Sequence, residues 1–418
     1  MAGVRAVETV ITYVRVAGDA LSGYAVGERS GTMARVKPIE ITEAGLLLRP
    51  WQAGDADAVH RACQDPDIQR WTTVPRPYLP EHAQSFVTES SRQQWESGTG
   101  APFAVCDATT GELLGACGLI SIDRSAHQTS EVGYWTAPWA RGRGVAVRAT
   151  RALARWAFDG LKLRRLLWGA LVGNHASRLV ALRAGFQIEG RLRAADPAYG
   201  THEWFGSLLP GEVPAPGETG PAGPGTLEAR RAAVFGQAQP VLFATVGAGE
   251  VRLRPMEERD VEGIVVTCRD PDTLRWTTVP DPYERCDAEA YLAYGQQAWA
   301  AGTSACFAIA DPADRFAGAI DLRLSPTDPL LASVGFMTAP HARGRGYLSA
   351  ALTALGAWGF TALGLARIEW RANVGNSASR RAAEKAGFRF EGTARAALNH
   401  RGTRTDAWVG ALVAEDLA

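Results

Sequence analysis

The chain has 418 residues, 46% of them hydrophobic and 21% charged, with 44 Lys+Arg set against 44 Asp+Glu. That length and apolar share suffice for two or three cored domains, and a formal net charge of +0 gives no global pull toward nucleic acid or an anionic membrane, so any polyanion site must be local. The six cysteines show no CxxC pair and no metal-ligand spacing with histidine, and no apolar run is long enough to span a bilayer; a cytoplasmic, soluble protein without metal, nucleic-acid or membrane partner is expected.

Residues 1–45 hold a short apolar run at Val10, Ile11 and Val14 but no sustained period, and stay unassigned as an N-terminal extension. From Leu46 the spacing predicts a strand over 46–49, a helix over 55–64 capped by Asp55, and a helix over 80–95. Strands follow at 103–106, 113–122 and 131–135. Ala149, Leu153, Trp156 and Ala157 fall at helical spacing within 146–161, and the unit closes with a strand at 166–172, a helix at 176–184 and strands at 186–190 and 204–209.

The chain then repeats itself. Leu48-Arg49-Pro50 returns as Leu253-Arg254-Pro255, and 65–78 returns almost unchanged at 270–283, both at an offset of 205 residues. By the second half of the unit the offset has fallen to 202, so the second copy is three residues shorter in between. Two folds of domain size are expected, 46–209 and 250–418, joined by a Pro/Gly-rich linker over 210–249 that lacks a core.

The stretch most suggestive of chemistry is Thr136-Ala137-Pro138-Trp139-Ala140-Arg141-Gly142-Arg143-Gly144-Val145-Ala146, between a strand and a helix. A Gly-rich turn there aims backbone N–H groups and a helix dipole at an anion, and the two arginines add charge. No Gly-Lys-Ser/Thr follows, which excludes a Walker loop, and several strands precede it, which excludes a Rossmann turn. Its copy carries Arg343, Gly344, Arg345 and Gly346. The second marker is Asn174-x-x-Ser177 leading to Ala184-Gly185-Phe186, repeated as Asn376-x-x-Ser379 and Ala386-Gly387-Phe388.

In this order, strand, Arg-x-x-Gly-x-Ala turn, helix, strand, Asn-x-x-Ser helix, Ala-Gly-Phe and strand, the chain resembles the GNAT acyltransferase superfamily and within it the RimJ/RimL-type N-acetyltransferases. The resemblance covers both units and implies an α/β (α+β) class with two tandem GNAT folds, each a mixed, splayed sheet flanked by helices. It implies acetyl-CoA as co-substrate in the gap after Trp135, held by Tyr134, Trp135, Thr136, Arg141 through Ala146, Asn174 and Ser177, with Arg343 through Gly346 and Asn376 as second-unit counterparts. It further implies Glu131 as base, Ser177 as proton donor and Asp196 as a further acidic position, with an amine of a small molecule or protein N-terminus as acceptor. Each has a plain structural rival: a solvated strand residue, a helix-capping serine, a turn former.

The usual tyrosine before Gly-Phe is here Ala181 and Ala383, which leaves the acid to Ser177. In unit two Glu131, Ala146 and Asp196 become Ser333, Leu348 and Leu398, so unit one is expected to be catalytic and unit two structural or degenerate. The Trp-Thr-Thr-Val-Pro segment (71–75 and 276–280) is near-identical in both, which favours packing or domain pairing over substrate choice. A non-catalytic acyl-CoA-binding scaffold is the alternative reading.

Overall fold

The computed structural model describes residues 36–196, 201–215, 217–218, 220, 222–247 and 249–417; the apolar run at 10–14 lies outside them. The chain divides into two compact units between Thr226 and Leu227, and each is built around one eight-stranded sheet.

In unit one the strands are β1 (Ile41–Glu43), β2 (Leu46–Pro50), β3 (Ala101–Asp107), β4 (Leu113–Asp123), β5 (Thr129–Thr136), β6 (Arg165–Leu171), β7 (Gln187–Asp196) and β8 (Thr201–Leu208), in the sheet order β1-β2-β3-β4-β5-β6-β8-β7. All neighbours are antiparallel except β5 and β6, whose parallel pairing requires the crossover helix Val145–Asp159. The helices are α1 (Ala56–Cys63), α2 (Pro66–Trp71), α3 (Pro80–Ser85), α4 (Ser91–Ser97), α5 (Val145–Asp159) and α6 (His175–Ala184). Of the stripe its spacing predicts, helix α5 buries Ala149, Leu153 and Ala157, while Trp156 is half-buried against the core. Helix α2 and strand β1 are elements the sequence periodicity did not reveal, being too short to show a period.

Unit two repeats the plan. After α7 (Leu227–Phe235) come β9 (Leu242–Val246), β10 (Gly249–Arg254), α8 (Val261–Arg269), α9 (Pro271–Trp276), α10 (Arg285–Ala301), β11 (Ser304–Ala310), β12 (Phe316–Leu324), β13 (Leu331–Thr338), α11 (Tyr347–Leu363), β14 (Arg367–Asn373), α12 (Ser377–Lys385), β15 (Arg389–His400) and β16 (Thr403–Leu412). Only β13 and β14 run parallel. Trp168 and Trp370, fully buried at matching places on β6 and β14, anchor the two cores, and truncating either to Ala is expected to cost about 3–5 kcal/mol.

The three residues by which the copies differ are found at three places. Unit one has a π-helical turn, Phe86–Ser90, where α10 runs on without interruption. Its β3–β4 connection, counted from the rung Cys106–Leu113, is one residue longer than the β11–β12 connection from the rung Ala310–Phe316, and a bulge between Ile120 and Asp123 on β4 is absent from β12. Each insertion is absorbed locally, so the register beside the β5–β6 gap is the same in both units.

The stretch read as a linker is more ordered than its composition suggests. Arg151 of α5, itself buried, donates to the carbonyl oxygens of Arg183 (3.1 Å) and Glu218 (2.7 Å), Arg155 to that of Pro214 (3.1 Å), and Arg183 to that of Ala222 (2.7 Å). Ala222 is 1% exposed. The Pro/Gly run has few side chains to bury, but its peptide carbonyls are good acceptors, and guanidinium groups from the helices satisfy them. Beyond Thr226, α7 buries Ala232 and Phe235, and β9 pairs with β10 in the second sheet.

Candidate functional site

Strand β5 pairs with β6 only through Thr129–Arg165, Ser130–Leu166 and Glu131–Leu167. Past Glu131 it keeps its antiparallel partner β4, from Val132 opposite Leu119 to Thr136 opposite Gly115, and has no partner on the β6 side. In unit two the parting comes one rung later, after Val334 paired with Trp370. Each unit therefore exposes a strand edge with free backbone donors and acceptors, a place where the amides of an extended ligand can pair.

The Gly-rich turn stands where that edge ends. After the short 3-10 turn Pro138–Ala140, Gly142 and Gly144 take φ of 74° and 66°, left-handed values that favour glycine, and Gly144 opens α5. A Cβ at either glycine would meet no atom within 4 Å, so the turn faces open space at a helix N-terminus whose first N–H groups lack intrahelical partners. Gly344 and Gly346 repeat the conformation at φ of 73° and 79°. Tyr134, Trp135 and Thr136 lead into the turn, and Val145 and Ala146 form the first helical positions.

Within the turn the two arginines have different jobs. Arg141 bonds Asp65 at 2.5 Å and lies 3.4 Å from Asp67, and Arg343 pairs likewise with Asp270 and, at 3.3 Å, with Asp272. Asp65 and Asp270 are the N-caps of α2 and α9, so this arginine ties the turn to a helix start. Arg143 is about half exposed, with only Asp107 3.9 Å away, and Arg345 is exposed; these are the cations open to a phosphate.

Ser177 is held from three sides. Its N–H donates to Asn174 Oδ1 (3.0 Å), which caps α6; its Oγ accepts from Trp168 Nε1 (3.2 Å); and Tyr134, past the last paired rung of β5, places its hydroxyl 3.0 Å from the Ser177 carbonyl and 3.2 Å from its Oγ. Burial raises the Tyr134 phenol above its ordinary value, with the Ser177 hydrogen bond opposing. In unit two Asn376 caps Ser379 and Trp370 donates to its Oγ at 3.0 Å, but Phe336 stands in for the tyrosine. Ala181 and Ala383, where the resemblance implies a tyrosine, are fully buried core residues.

Glu131, 9% exposed, sits at the last paired rung, opposite Ile120 on β4. By strand alternation it shares a face with Gly133 and Trp135, and Trp135 stacks on Trp51 (6.4 Å between ring centroids), which meets Phe86 edge-on at 5.1 Å. Asp196 ends β7 opposite Thr201, and its side chain lies outside the described residues. Burial pushes the thiols of Cys63 and Cys117 up to about 12, which leaves them protonated and poor nucleophiles at neutral pH. Among the described residues no group of three His, Cys, Asp or Glu side chains could hold a metal ion, and no helix is long and apolar enough to cross a membrane.

In unit two the cleft encloses about 870 Å³, walled by β13 from Val334 to Thr338, the Gly344–Gly346 turn and β14 from Trp370 to Asn373. Leu348 and Leu398 are on that wall, so the side chains expected to mark degeneration have not closed the cleft. Trp276, Thr277 and Thr278 are there too, from a segment expected to serve packing or domain pairing over substrate choice, and Val279 packs against the core of unit two.

Residues 45–187 and 250–389, more than half of the chain, match the acetyltransferase (GNAT) domain family. The chain belongs to that family. Over 88 residues it is 39% identical to the "Putative ribosomal N-acetyltransferase YdaF" of Bacillus subtilis (strain 168), a match spanning 21% of this chain and 48% of that protein. Over 81 residues it is 37% identical to the ribosomal-protein-serine acetyltransferase of Escherichia coli (strain K12), spanning 19% of this chain and 45% of that one. The chain thus spans about half the length of these relatives. Among solved structures, Mycobacterium smegmatis RimJ in complex with CoA-disulfide aligns with 43% of this chain and 89% of its own, at 24% identity and a TM-score of 0.39. The two GNAT domains explain the doubled turn, the doubled Asn-x-x-Ser cap and the doubled parting of strands.

Proposed function

We propose that the protein is an acetyl-CoA-dependent N-acetyltransferase that acylates a primary amine of a small molecule or a protein N-terminus by direct attack, with unit one as a working site. The observation that carries this reading is the buried carboxylate of Glu131 at the rung where β5 leaves β6, beside a free strand edge that ends in an open Gly-rich turn. The residues fit the group: a strand edge for pantetheine amides, helix N–H groups and exposed Arg143 for the pyrophosphate. Acetyl-CoA, when bound, supplies an acyl thioester activated toward amines.

The chain's own residues do the rest. Glu131 accepts the proton that the amine must lose, and backbone N–H groups near Tyr134–Thr136 polarise the carbonyl. Tyr134 and Ser177, hydrogen-bonded to each other, form a two-hydroxyl relay that holds a proton for the departing sulfur. This relay answers the missing tyrosine at Ala181, since the phenol enters from the strand in place of the helix. Names of relatives that refer to ribosomal proteins favour a protein N-terminus among the acceptor classes.

Thiol release in an acceptor screen tests the reading. Glu131→Gln is expected to lower kcat about 100-fold while Ser333→Ala leaves it within about twofold. Undiminished turnover in Glu131→Gln sinks Glu131 as the base, and no thiol release with any amine turns the case to a non-catalytic acyl-CoA-binding scaffold.

A further inference from the structure

Strand register, unlike the aligned sequence, relates specific pairs across the two sheets. Opposite Glu131 in unit one is Ile120, and opposite Gly133 is Gly118. At the same two rungs of unit two Arg323 lies opposite Ser333, and Asp321 opposite Gly335. The strand beside the gap has lost its carboxylate, while its neighbour has gained a carboxylate and a guanidinium at the same patch of the sheet.

That pair is built. Asp321 is 5% exposed and receives Nε (2.8 Å) and Nη2 (3.0 Å) of Arg323 in a bidentate bond. A Cβ at residue 335 would come within 2.1 Å of Arg323 Nη2 and 2.5 Å of Asp321 Oδ1, so glycine there is a requirement of the pair. The Arg323 side chain is nonetheless 53% exposed, it lines the cleft, and its Nη1 makes no hydrogen bond among the described residues. Asp321 fixes one edge of the guanidinium plane, and the other edge is left toward the cleft, a preorganised receptor for a planar anion. Tyr291 and Tyr294 of α10 feel both charges, which marks this as the face where α10 packs, the same face on which unit one carries Glu131.

We propose that the second cleft carries a carboxylate subsite at Arg323, so that unit two takes an acceptor amine bearing a carboxylate, such as a free amino acid, where unit one has Gly118 and Ile120 and no cation at these rungs. This rests on the reading of the parted strands as an acyl-transfer cleft. The test is calorimetric binding to the full chain saturated with CoA, using the common L-amino acids, each against its own methyl ester. At least one amino acid is expected to bind about tenfold to a hundredfold tighter than its ester. Arg323→Leu leaves Asp321 buried and unpaired and endangers folding, so the decisive variant is Asp321→Gly with Arg323→Ile, the residues unit one already has at these rungs.

The double variant is expected to erase the preference while CoA binding stays within about threefold. Absence of any preference, or its survival in the double variant, overturns the subsite. Thiol release from the Glu131→Gln chain with the same amino acids is read separately: its failure alongside Arg323-dependent binding sinks acyl transfer by unit two and leaves the subsite standing.

Discussion

In unit one the strand beside the gap, β5, carries one carboxylate, Glu131, set opposite Ile120 and near Gly118 and Gly133, and further along the same face Trp135 stacks on Trp51, which meets Phe86 edge-on. Unit two has the same backbone register, yet Ser333 faces an arginine, an aspartate is buried two residues earlier on the neighbouring strand, and Met256 and Met337 stand where unit one has Trp51 and Trp135, with Tyr291 for Phe86. Compared position by position, unit two has lost the carboxylate proposed as base. Compared rung by rung, the charge has moved across the ladder and changed partners, from a carboxylate at the gap to one committed to holding a guanidinium. A residue's partners in a sheet are set by the register, and divergence between duplicated units is read correctly only there.

The largest expected difference between the units is in stability. Arg151 straps the Pro/Gly run to α5 and α6 in unit one, and its counterpart is the exposed Thr353, whose Oγ bonds the Ser349 carbonyl of its own helix. Arg151→Met keeps the aliphatic stem and removes the donors, at a cost of about 2–4 kcal/mol, which lowers the unit-one transition by roughly 5–10 °C. Thr353→Ala is expected to stay within about 0.5 kcal/mol. Scanning calorimetry decides: a shift of the whole unfolding profile as one body in Arg151→Met would show that the units do not melt independently and would break the comparison.

Next is the relay. Tyr134→Phe turns unit one into the arrangement unit two has at Phe336, removing both contacts to Ser177. Turnover is expected to fall about tenfold with KM for acetyl-CoA nearly unchanged, and the alkaline limb of the pH–rate profile to move. Equal losses in Tyr134→Phe and Ser177→Ala, with no further loss in the double variant, would sharpen the claim that the two act as one unit. A Tyr134→Phe enzyme at full rate would return the proton donor to Ser177 alone.

Much of this fold was legible because its signals are local. The Arg-Gly-Arg-Gly turn, the Asn-x-x-Ser cap and the Ala-Gly-Phe helix end each obey backbone rules within a few residues, and their repetition removed coincidence. The Tyr134–Ser177 contact was not legible: the two residues are 43 apart and meet only because a parallel crossover brings the head of α6 to the gap. Asp321 and Arg323 read as an ordinary charged alternation on a strand until pairing shows what they face. The strap escaped because its acceptors are carbonyls, which every residue has.

The smallest expected effect is one the two units should share. Arg141–Asp65 and Arg343–Asp270 tie each Gly-rich turn to a helix N-cap. Burial pushes the Asp65 carboxyl up, but Arg141 and the N–H groups of Ile68 and Asp67 hold it below its ordinary value; Asp270 is held low first by Arg343. A carboxyl depressed in the folded state stabilises above its unfolded pKa of about 3.9, and that contribution is lost as pH falls through the folded value. Asn keeps the cap and removes the charge, so Asp65→Asn and Asp270→Asn are each expected to cost about 0.5–1 kcal/mol at pH 7, since these pairs are partly exposed and screened. The penalty should shrink steadily from pH 5 downward, because acid removes the same charge from the unsubstituted chain. Unfolding temperatures at pH 7 and through the acid range check this, and a silent Asp270→Asn beside a costly Asp65→Asn would mean that the second turn, for all its matching dihedral angles, is not held as the first one is.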